Sequence, residues 1–332
     1  MTTHLASTDD AALVDFLEES VVPQVLGRES PIVGFEREPS PATTSYQSEI
    51  LSVTLACGEC FNLLLKDFAH SRLPKDALAE RRERELGVYR YLIGRAGLGT
   101  ARYYGALWNE RRRRYWLLLE FVEGVELRSC DVELWPLAAG WLGRMQGYYG
   151  HLGRHDGRYG FLQHHDAEFF RSRGRRAVDS AARFSADLAA RMTKVVDRYE
   201  PLIEVMASQP QTLVHGAYRP ANILVDMTVD PPRICPVDWE LAAIGSPLYD
   251  LAFFCDGFEP PVLDRIWRAY CDEATNAGVL LPGRDEMRHV VDCFRLFRVM
   301  AWLAPAIEKR YSKGEVEKLV SRGESLITLF ED

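Results

Sequence analysis

The sequence predicts an α+β protein with two lobes, a small antiparallel sheet followed by a larger, mainly helical region. A chain of 332 residues suits two compact regions of about 150 residues each. Short strand-like runs separated by turn residues dominate the first part, and long amphipathic segments dominate the second. The change of pattern places the lobes at residues 1–122 and 123–332.

Composition excludes several classes of protein. The chain is 47% hydrophobic and 27% charged, which is ordinary for a globular protein. Its 40 Lys and Arg against 48 Asp and Glu give a net charge of -8, which argues against a nucleic-acid partner. The N-terminus lacks a signal-peptide pattern, and no apolar run approaches the roughly 20 residues that span a bilayer. We therefore expect a cytoplasmic protein with neither a nucleic-acid nor a membrane partner.

In the first lobe, the apolar spacing predicts a helix at residues 9–26, and a second helix is expected from Pro74 to about Ile93. A proline near a helix start is favourable, because its missing N–H would lack a helical partner there anyway. Between and after these helices, runs of apolar residues bounded by turn residues predict antiparallel strands. The strands are expected at residues 32–38, 50–55, 61–68, 102–108 and 115–121.

The second lobe is expected to be mostly helical, with helices at residues 135–149 and 167–208 and through the last eighty residues. The aromatic side chains of Trp135, Trp141 and Tyr148 are predicted to be buried in its core rather than to form a substrate cage, since aromatic residues dominate buried area in packed helices. One strand–turn–strand element, within residues 213–237, interrupts these helices.

The strand–turn–strand element carries the chemistry. Asn222 comes just before the strand at residues 223–225, and Asp238 comes just after the strand at residues 234–237. A hairpin brings these two oxygen-bearing side chains to the same end. Mg²⁺ prefers hard oxygen ligands and completes its shell with water and phosphate oxygens. The pair therefore predicts a site for Mg²⁺ and a nucleotide.

At these residues the sequence resembles the aminoglycoside phosphotransferase-like branch of the protein-kinase-like superfamily. The family pattern is H-G-D-x-x-x-x-N, then a hydrophobic residue with D-W-E, then G-x-P-x-x-D-L-A. The chain has it in order, from His215-Gly216-Ala217 with Asn222, through Val237-Asp238-Trp239-Glu240, to Gly245-Ser246-Pro247 with Asp250-Leu251-Ala252. The resemblance implies a two-lobed kinase-like fold that uses ATP, or another nucleoside triphosphate, with Mg²⁺. It also implies a structural role for His215 and a bracing role for Asp250.

The resemblance implies a phosphate-binding lysine on the third strand, paired with a glutamate on the next helix. Lys66 ends a strand-like run and shares a face with Leu64 and Phe68. Glu85 lies on the inward stripe of the following helix. A surface lysine and an exposed glutamate remain the alternative. Glu120, Phe121 and Val122 resemble the segment that holds the adenine.

The chain departs from the family pattern in two places. The expected Gly-rich phosphate loop is replaced by residues 40–45, which are rich in Ser and Thr. More seriously, Ala217 occupies the position of the catalytic aspartate that accepts the proton of the acceptor hydroxyl. Three explanations are open: an engineered substitution, a natural pseudokinase, or an active enzyme with a relocated base. Tyr218 and Asp226 lie nearby, but the spacing of neither recommends it as a substitute.

Arginines cluster in the segment where this fold usually builds its acceptor pocket. The four residues are Arg171, Arg173, Arg175 and Arg176. One interpretation is a solvated charged face. The other is a site for an anionic acceptor, or for an acidic peptide or protein partner.

Two functions remain open. The first is an ATP- and Mg²⁺-dependent phosphotransferase that acts on a hydroxyl of a small molecule or a peptide side chain, with an impaired or altered catalytic base. The second is a non-catalytic pseudokinase that binds nucleotide and a peptide or protein partner.

Overall fold

The computed structural model describes residues 8–41, 45–72, 74–152 and 159–331. The chain divides into two compact units. The first contains residues 1–75 and 86–123, and the second contains residues 76–85 and 124–332. The helix at Leu78–Tyr91 contributes residues to both units.

The first unit begins with helical structure and continues as a sheet. Helix α1, Thr8–Phe16, runs through a π-helical turn, Leu17–Val21, into α2, Val22–Leu26. Strands β1 to β3 follow, and α3 separates them from β4 and β5. Their bounds are Ile32–Pro39, Tyr46–Leu55 and Cys60–Ser71 for β1 to β3, Leu78–Tyr91 for α3, and Tyr103–Asn109 and Arg114–Glu120 for β4 and β5.

The five strands form one antiparallel sheet in the order β1-β2-β3-β5-β4. One face of this sheet and the N-terminal helices share an apolar core. Its fully buried members include Leu13, Leu17, Val21, Leu51, Val53, Leu63, Leu65 and Leu118. Because side chains alternate along a strand, Leu63 and Leu65 facing this core place Lys66 on the opposite face.

The second unit is mainly helical, and its described residues form six short strands. Its elements are β6 Val125–Glu126, α4 Trp135–Tyr148, β7 Gln163–His164, α5 Ala167–Ala182, α6 Ala186–Ala207, β8 Thr212–Val214, β9 Ile223–Asp226, β10 Arg233–Pro236, β11 Ala243–Gly245, α7 Pro247–Phe254, α8 Pro260–Asn276, α9 Arg284–Leu303 and α10 Lys313–Ile327. The strands form two small sheets, β10-β9-β6 and β7-β11-β8. The α+β fold class is therefore confirmed.

Some boundaries differ from the sequence prediction. The single helix expected at residues 167–208 is two helices, α5 and α6, because the Ser185 side chain accepts a hydrogen bond from the Leu188 N–H and caps a new helix. Trp141 is buried as predicted, whereas Tyr148 is 52% exposed. The buried position predicted for Tyr148 was wrong. No helix in the described ranges is long and apolar enough to cross a membrane.

A buried histidine sits in an aromatic cluster of the second unit. The His165 ring stacks on Phe169, with 4.2 Å between ring centroids, and lies 4.4 Å from the Tyr249 ring. Burial lowers the pKa of His165 to about 3, and the nearby positive charges of Arg173 and Arg84 act in the same direction. The folded protein therefore holds this ring neutral, while the unfolded chain binds a proton below about pH 6.5.

Acidification is expected to reduce the free energy of unfolding through His165. Its contribution is complete above pH 6.5 and falls by about 2 kcal/mol between pH 6.5 and 5, since only the unfolded state takes up the proton. His165→Phe should flatten this part of the pH dependence in urea titrations. His164→Gln, at the exposed neighbouring position, is the control and should keep the wild-type slope. Equal slopes for His165→Phe and the wild type would contradict the expectation.

Candidate functional site

The loop that follows β8 is held by a buried aspartate of α7. Asp250 accepts hydrogen bonds from the His215 N–H at 2.6 Å and from the Gly216 N–H at 3.0 Å. The side chain is fully buried, and burial raises the pKa of Asp250 to about 7 although these backbone donors act in the opposite direction. Both carboxylate oxygens point to the loop backbone. This geometry supports the bracing role predicted for Asp250.

His215 lies inside the same loop with both ring nitrogens engaged. Its Nε2 lies 3.0 Å from the Val237 carbonyl oxygen, and its Nδ1 accepts from the Ala217 N–H at 3.3 Å. These contacts match a neutral imidazole with its proton on Nε2. Burial lowers the pKa of His215 to about 4, so the ring stays neutral near pH 7. The geometry supports a structural role for His215 rather than proton transfer.

Asn222 and Asp238 lie at the same end of the β9–β10 hairpin. The Val237 N–H, one residue before Asp238, donates to the backbone oxygen of Asn222 at 2.8 Å. Asp238 has φ 68° and ψ 61°, a left-handed conformation that aspartate adopts more readily than most residues. Such conformations concentrate at functional sites, where the surrounding structure holds them.

The donor atoms at this hairpin end fit a magnesium ion. Asn222 donates through Nδ2 to the Ala217 carbonyl oxygen at 3.0 Å, which leaves the side-chain oxygen as the amide atom that could bind a metal. Asp238 supplies a carboxylate. Within the described ranges, no group of three or more His, Cys, Asp or Glu side chains could hold a metal. Mg²⁺ would therefore take its remaining ligands from water and phosphate oxygens, as it commonly does.

Ala217 keeps the backbone position of the loop without a carboxylate. Its N–H donates to His215, and its carbonyl oxygen accepts from the Arg219 N–H at 2.8 Å and from Asn222. Neither neighbour considered as a substitute base is placed for that role. The Tyr218 hydroxyl is buried and donates to the Ala138 carbonyl oxygen at 2.7 Å. The Asp226 carboxylate accepts from the N–H and the hydroxyl of Thr228, at 2.9 and 2.6 Å.

In the first unit, Lys66 is buried on β3. It pairs in register with Ser48 on β2 and with Leu117 on β5, and its Nζ lies 5.1 Å from the Tyr46 ring centroid and 5.3 Å from that of Phe68. The alternative of a surface lysine does not hold, since Lys66 is 5% exposed.

Glu85 is also buried, at 1% exposure, on the part of α3 that belongs to the second unit. The alternative of an exposed helical glutamate therefore fails. The pairing of Lys66 with Glu85 stays a prediction. Of the segment predicted to replace the phosphate loop, residues 42–44 lie outside the described residues.

The segment predicted to hold the adenine follows β5. Glu120 fixes its start, because its side chain accepts from the Arg102 N–H at 3.0 Å and its own N–H donates to the Arg102 carbonyl oxygen at 2.9 Å. Phe121 and the largely buried Val122 follow in no regular element. Residues outside the sheet carry backbone donors and acceptors that a ligand can use. These donors and acceptors are the kind that an adenine edge requires.

The four clustered arginines on α5 are paired with carboxylates. Arg173 and Arg176 contact Asp76 at 3.5 and 3.0 Å. Burial acts to raise the pKa of this half-buried carboxyl, but Arg81, Arg176 and Arg173 together hold it below its usual value. Arg171 contacts Glu200 at 2.7 Å, and Arg175 contacts Glu168. Their place on the acceptor side stays a prediction, but the ion pairs favour a structural role.

The sequence interpretation missed a cleft of about 220 Å³ in the second unit. Its lining includes Trp135, Arg219, Phe253, Asp256, Arg298 and Trp302. Trp135, which was predicted to be buried in the core, instead lines this cleft. One sequence signal could have indicated this cleft: Arg219, one of its lining residues, lies only two residues after Ala217.

Comparisons with known proteins identify the family and the fold of the chain. A family model described as the phosphotransferase enzyme family matches residues 63–290. A structure of a microcompartment-associated aminopropanol kinase is 18% identical, with a TM-score of 0.61, and covers 97% of this chain and 96% of its own. A choline kinase from Cryptosporidium parvum Iowa II is 13% identical, with a TM-score of 0.64 and coverage of 97% and 96%.

A GDP complex of an aminoglycoside 2'-phosphotransferase-IIIa is 14% identical, with a TM-score of 0.60, and covers 92% of this chain and 96% of its own. A search of curated protein sequences finds no match. The family and structural matches confirm the predicted resemblance and the kinase-like fold.

Proposed function

Because the chain belongs to the phosphotransferase enzyme family, we propose that it transfers the terminal phosphoryl group of a nucleoside triphosphate to an oxygen of a small-molecule acceptor. One observation carries the proposal. Asn222 and Asp238 are fixed at one hairpin end, beside a loop that Asp250 and His215 hold in place. Phosphoryl transfer depends mostly on such positioning and on charge stabilisation.

Each remaining residue has a defined part in this proposal. Lys66 would contact the nucleotide phosphates, and Glu85 would orient the Lys66 side chain. The backbone of Phe121 and Val122 would bind the adenine edge. Mg²⁺ held by Asn222 and Asp238 would neutralise charge on the phosphates. GDP is bound in a structural neighbour, so GTP deserves a test beside ATP.

A second candidate function is favoured by Ala217. A protein that binds nucleotide without transferring phosphate needs no residue to accept a proton, and the loop keeps its geometry without one. Such a pseudokinase would act through a peptide or protein partner. Nucleotide binding is common to both candidates, whereas phosphoryl transfer separates them.

Asp238→Ala is expected to abolish most of the stabilisation by nucleotide. A ligand at 100 times its Kd raises the free energy of unfolding by about 2.7 kcal/mol, and this variant removes the only carboxylate proposed to ligate the metal. The measurement is the melting temperature with ATP or GTP and MgCl₂ at millimolar levels. Asp264→Ala, at an exposed position of the same unit, should keep the wild-type shift. A wild-type protein that shows no shift with either nucleotide would refute the proposed function.

A further inference from the structure

The cleft in the second unit adjoins the loop of the proposed active site. Arg219 and Pro220 line the cleft, and the Arg219 N–H donates to the Ala217 carbonyl oxygen. Ala217 stands where the family places the residue that faces the acceptor. An acceptor in this cleft would therefore lie beside the loop.

The charge of the cleft is positive. Among the described residues that line it, Asp256 is the one acidic side chain, and it is shared by three arginines. Arg298 contacts it at 2.8 Å and Arg295 at 3.4 Å, and Arg322 also contacts it. Its single negative charge is therefore more than balanced.

Two guanidinium groups of the lining can still bind an anion. The exposed Arg219 forms no ion pair with any described residue. Nε of Arg298 is buried and has no hydrogen-bond partner in the described part of the chain. Burial lowers the pKa of Arg298 to about 10, and the charges of Arg322, Arg295 and Arg219 act in the same direction. A bound anion would relieve both the repulsion and the unsatisfied donor.

The aromatic walls of the cleft do not suit a cationic acceptor. The guanidinium of Arg298 already lies 4.2 Å from the Trp302 ring centroid and 5.4 Å from that of Phe253. Those two rings therefore already form cation–π contacts with Arg298. A second cation in the cleft would be repelled by Arg219 and Arg298. The remaining apolar surface, which includes Trp135, suits an uncharged aromatic or aliphatic body.

We propose that the acceptor is a carboxylate on an aromatic or otherwise apolar body, and that this carboxylate oxygen itself receives the phosphoryl group. The inference rests on the proposed function. A carboxylate oxygen forms the new bond to the γ-phosphorus, and the bond from that phosphorus to the oxygen bridging the β- and γ-phosphates breaks. The products are an acyl phosphate and a nucleoside diphosphate. Charge balances without a proton, since charges of -1 and -4 become -2 and -3.

This acceptor accounts for Ala217. A hydroxyl must lose its proton during transfer, and a positioned base accelerates that step by about 10²- to 10⁴-fold. A carboxylate has a usual pKa near 4 and is already ionised at pH 7, so no base is needed. An aspartate at position 217 would instead repel the anionic acceptor. One acceptor chemistry thus explains both the missing base and the arginines of the cleft.

The test compares three ligands of similar shape: phenylacetate, 2-phenylethanol and 2-phenylethylamine. In calorimetry with the full chain, phenylacetate should bind with a Kd at least tenfold lower than that of the alcohol or the amine. With ATP, MgCl₂ and hydroxylamine, phenylacetate should yield a hydroxamate, which traps an acyl phosphate. In weakly buffered solution without hydroxylamine, this transfer should release no proton per ADP, whereas transfer to an alcohol releases one.

Arg219→Gln should weaken phenylacetate binding about 10- to 100-fold, the range expected for a hydrogen-bonded charge contact, and leave the melting-temperature shift with ATP unchanged. The control is Arg284→Gln, an exposed arginine on the same helix as Arg298, which should bind phenylacetate as the wild type does. Because Arg219 is exposed and unpaired among the described residues, the variant should fold.

Several outcomes would overturn the inference. Failure of phenylacetate to bind would do so, and so would equal binding by Arg219→Gln and the wild type. Transfer to 2-phenylethanol with one proton per ADP, without hydroxamate from phenylacetate, would overturn it but leave the proposed function intact. Loss of the ATP shift alone would instead refute the proposed function, since phenylacetate binding is measured without nucleotide.

Discussion

Ala217→Asp is expected to raise phosphoryl transfer to an alcohol acceptor by about 10²-fold or more. The variant restores a carboxylate where a kinase-like site accepts the proton of the attacking hydroxyl. The loop needs no rearrangement, because the backbone N–H and carbonyl oxygen of residue 217 already bond to His215, Arg219 and Asn222. The nucleotide-dependent melting shift should change little, since the proposed function assigns this position to the acceptor and not to the nucleotide.

Single-turnover transfer from labelled ATP to 2-phenylethanol and other alcohols measures this effect. Ala217→Asn is the matched control, because it has the size of aspartate without its basicity, and Ala217→Glu tests a longer reach. Equal transfer by Ala217→Asp and Ala217→Asn would contradict the expectation. The same aspartate should lower transfer to phenylacetate about tenfold, because it places a negative charge beside an anionic acceptor. Opposite changes for the two acceptors would separate a base effect from a general change in the loop.

The sequence predicted the hairpin with Asn222 and Asp238 because its determinants are local. Two apolar strands and a proline-containing turn lie close together in the chain, so the hairpin itself follows from the local pattern, whereas its register, with Ile223 opposite Pro236, comes from the structure. The same holds for Lys66, whose side on β3 follows from strand alternation. Local periodicity therefore predicted the fold class and the hairpin, whereas the family resemblance singled out Lys66 as a candidate phosphate ligand.

The interpretation of the arginine cluster needed contacts that no local pattern contains. Arg173 and Arg176 pair with Asp76, about a hundred residues earlier, and Arg176 also lies near Glu308. In the sequence alone, such a charged segment looks free to bind a ligand, because the carboxylates that pair with it belong to other elements. The break between α5 and α6 is different, since Ser185 was a visible capping signal that the continuous apolar pattern outweighed.

The cleft could not be predicted for a similar reason. Its walls combine the start of α4, the loop after β8, the end of α7 and helix α9, so its lining extends from Trp135 to Trp302. Trp135 resembles a core residue in sequence, because burial against other helices and exposure to a cleft produce the same apolar spacing. Only tertiary packing distinguishes the two.

Gly216→Ala is expected to reduce the free energy of unfolding by about 3 kcal/mol and to remove nucleotide binding. Gly216 has φ +78°, a conformation that costs other residues about 1–2 kcal/mol. A Cβ there would lie 2.0 Å from the Leu241 carbonyl oxygen and 2.7 Å from its carbon, so the backbone must also move, at a further 1–3 kcal/mol. Leu241 ends the short helix that follows Asp238, and a shift of this helix would displace the proposed metal ligand.

Gly278→Ala is the matched control, because Gly278 has φ +83° in the same unit and open space where its Cβ would stand. It should lower the free energy of unfolding in urea by only about 1 kcal/mol, the conformational cost alone, and keep the melting shift with ATP and MgCl₂. The difference between the two variants measures the clash with Leu241. If both variants lose the same stability and both still respond to nucleotide, the contact between Gly216 and Leu241 does not hold the proposed site in place.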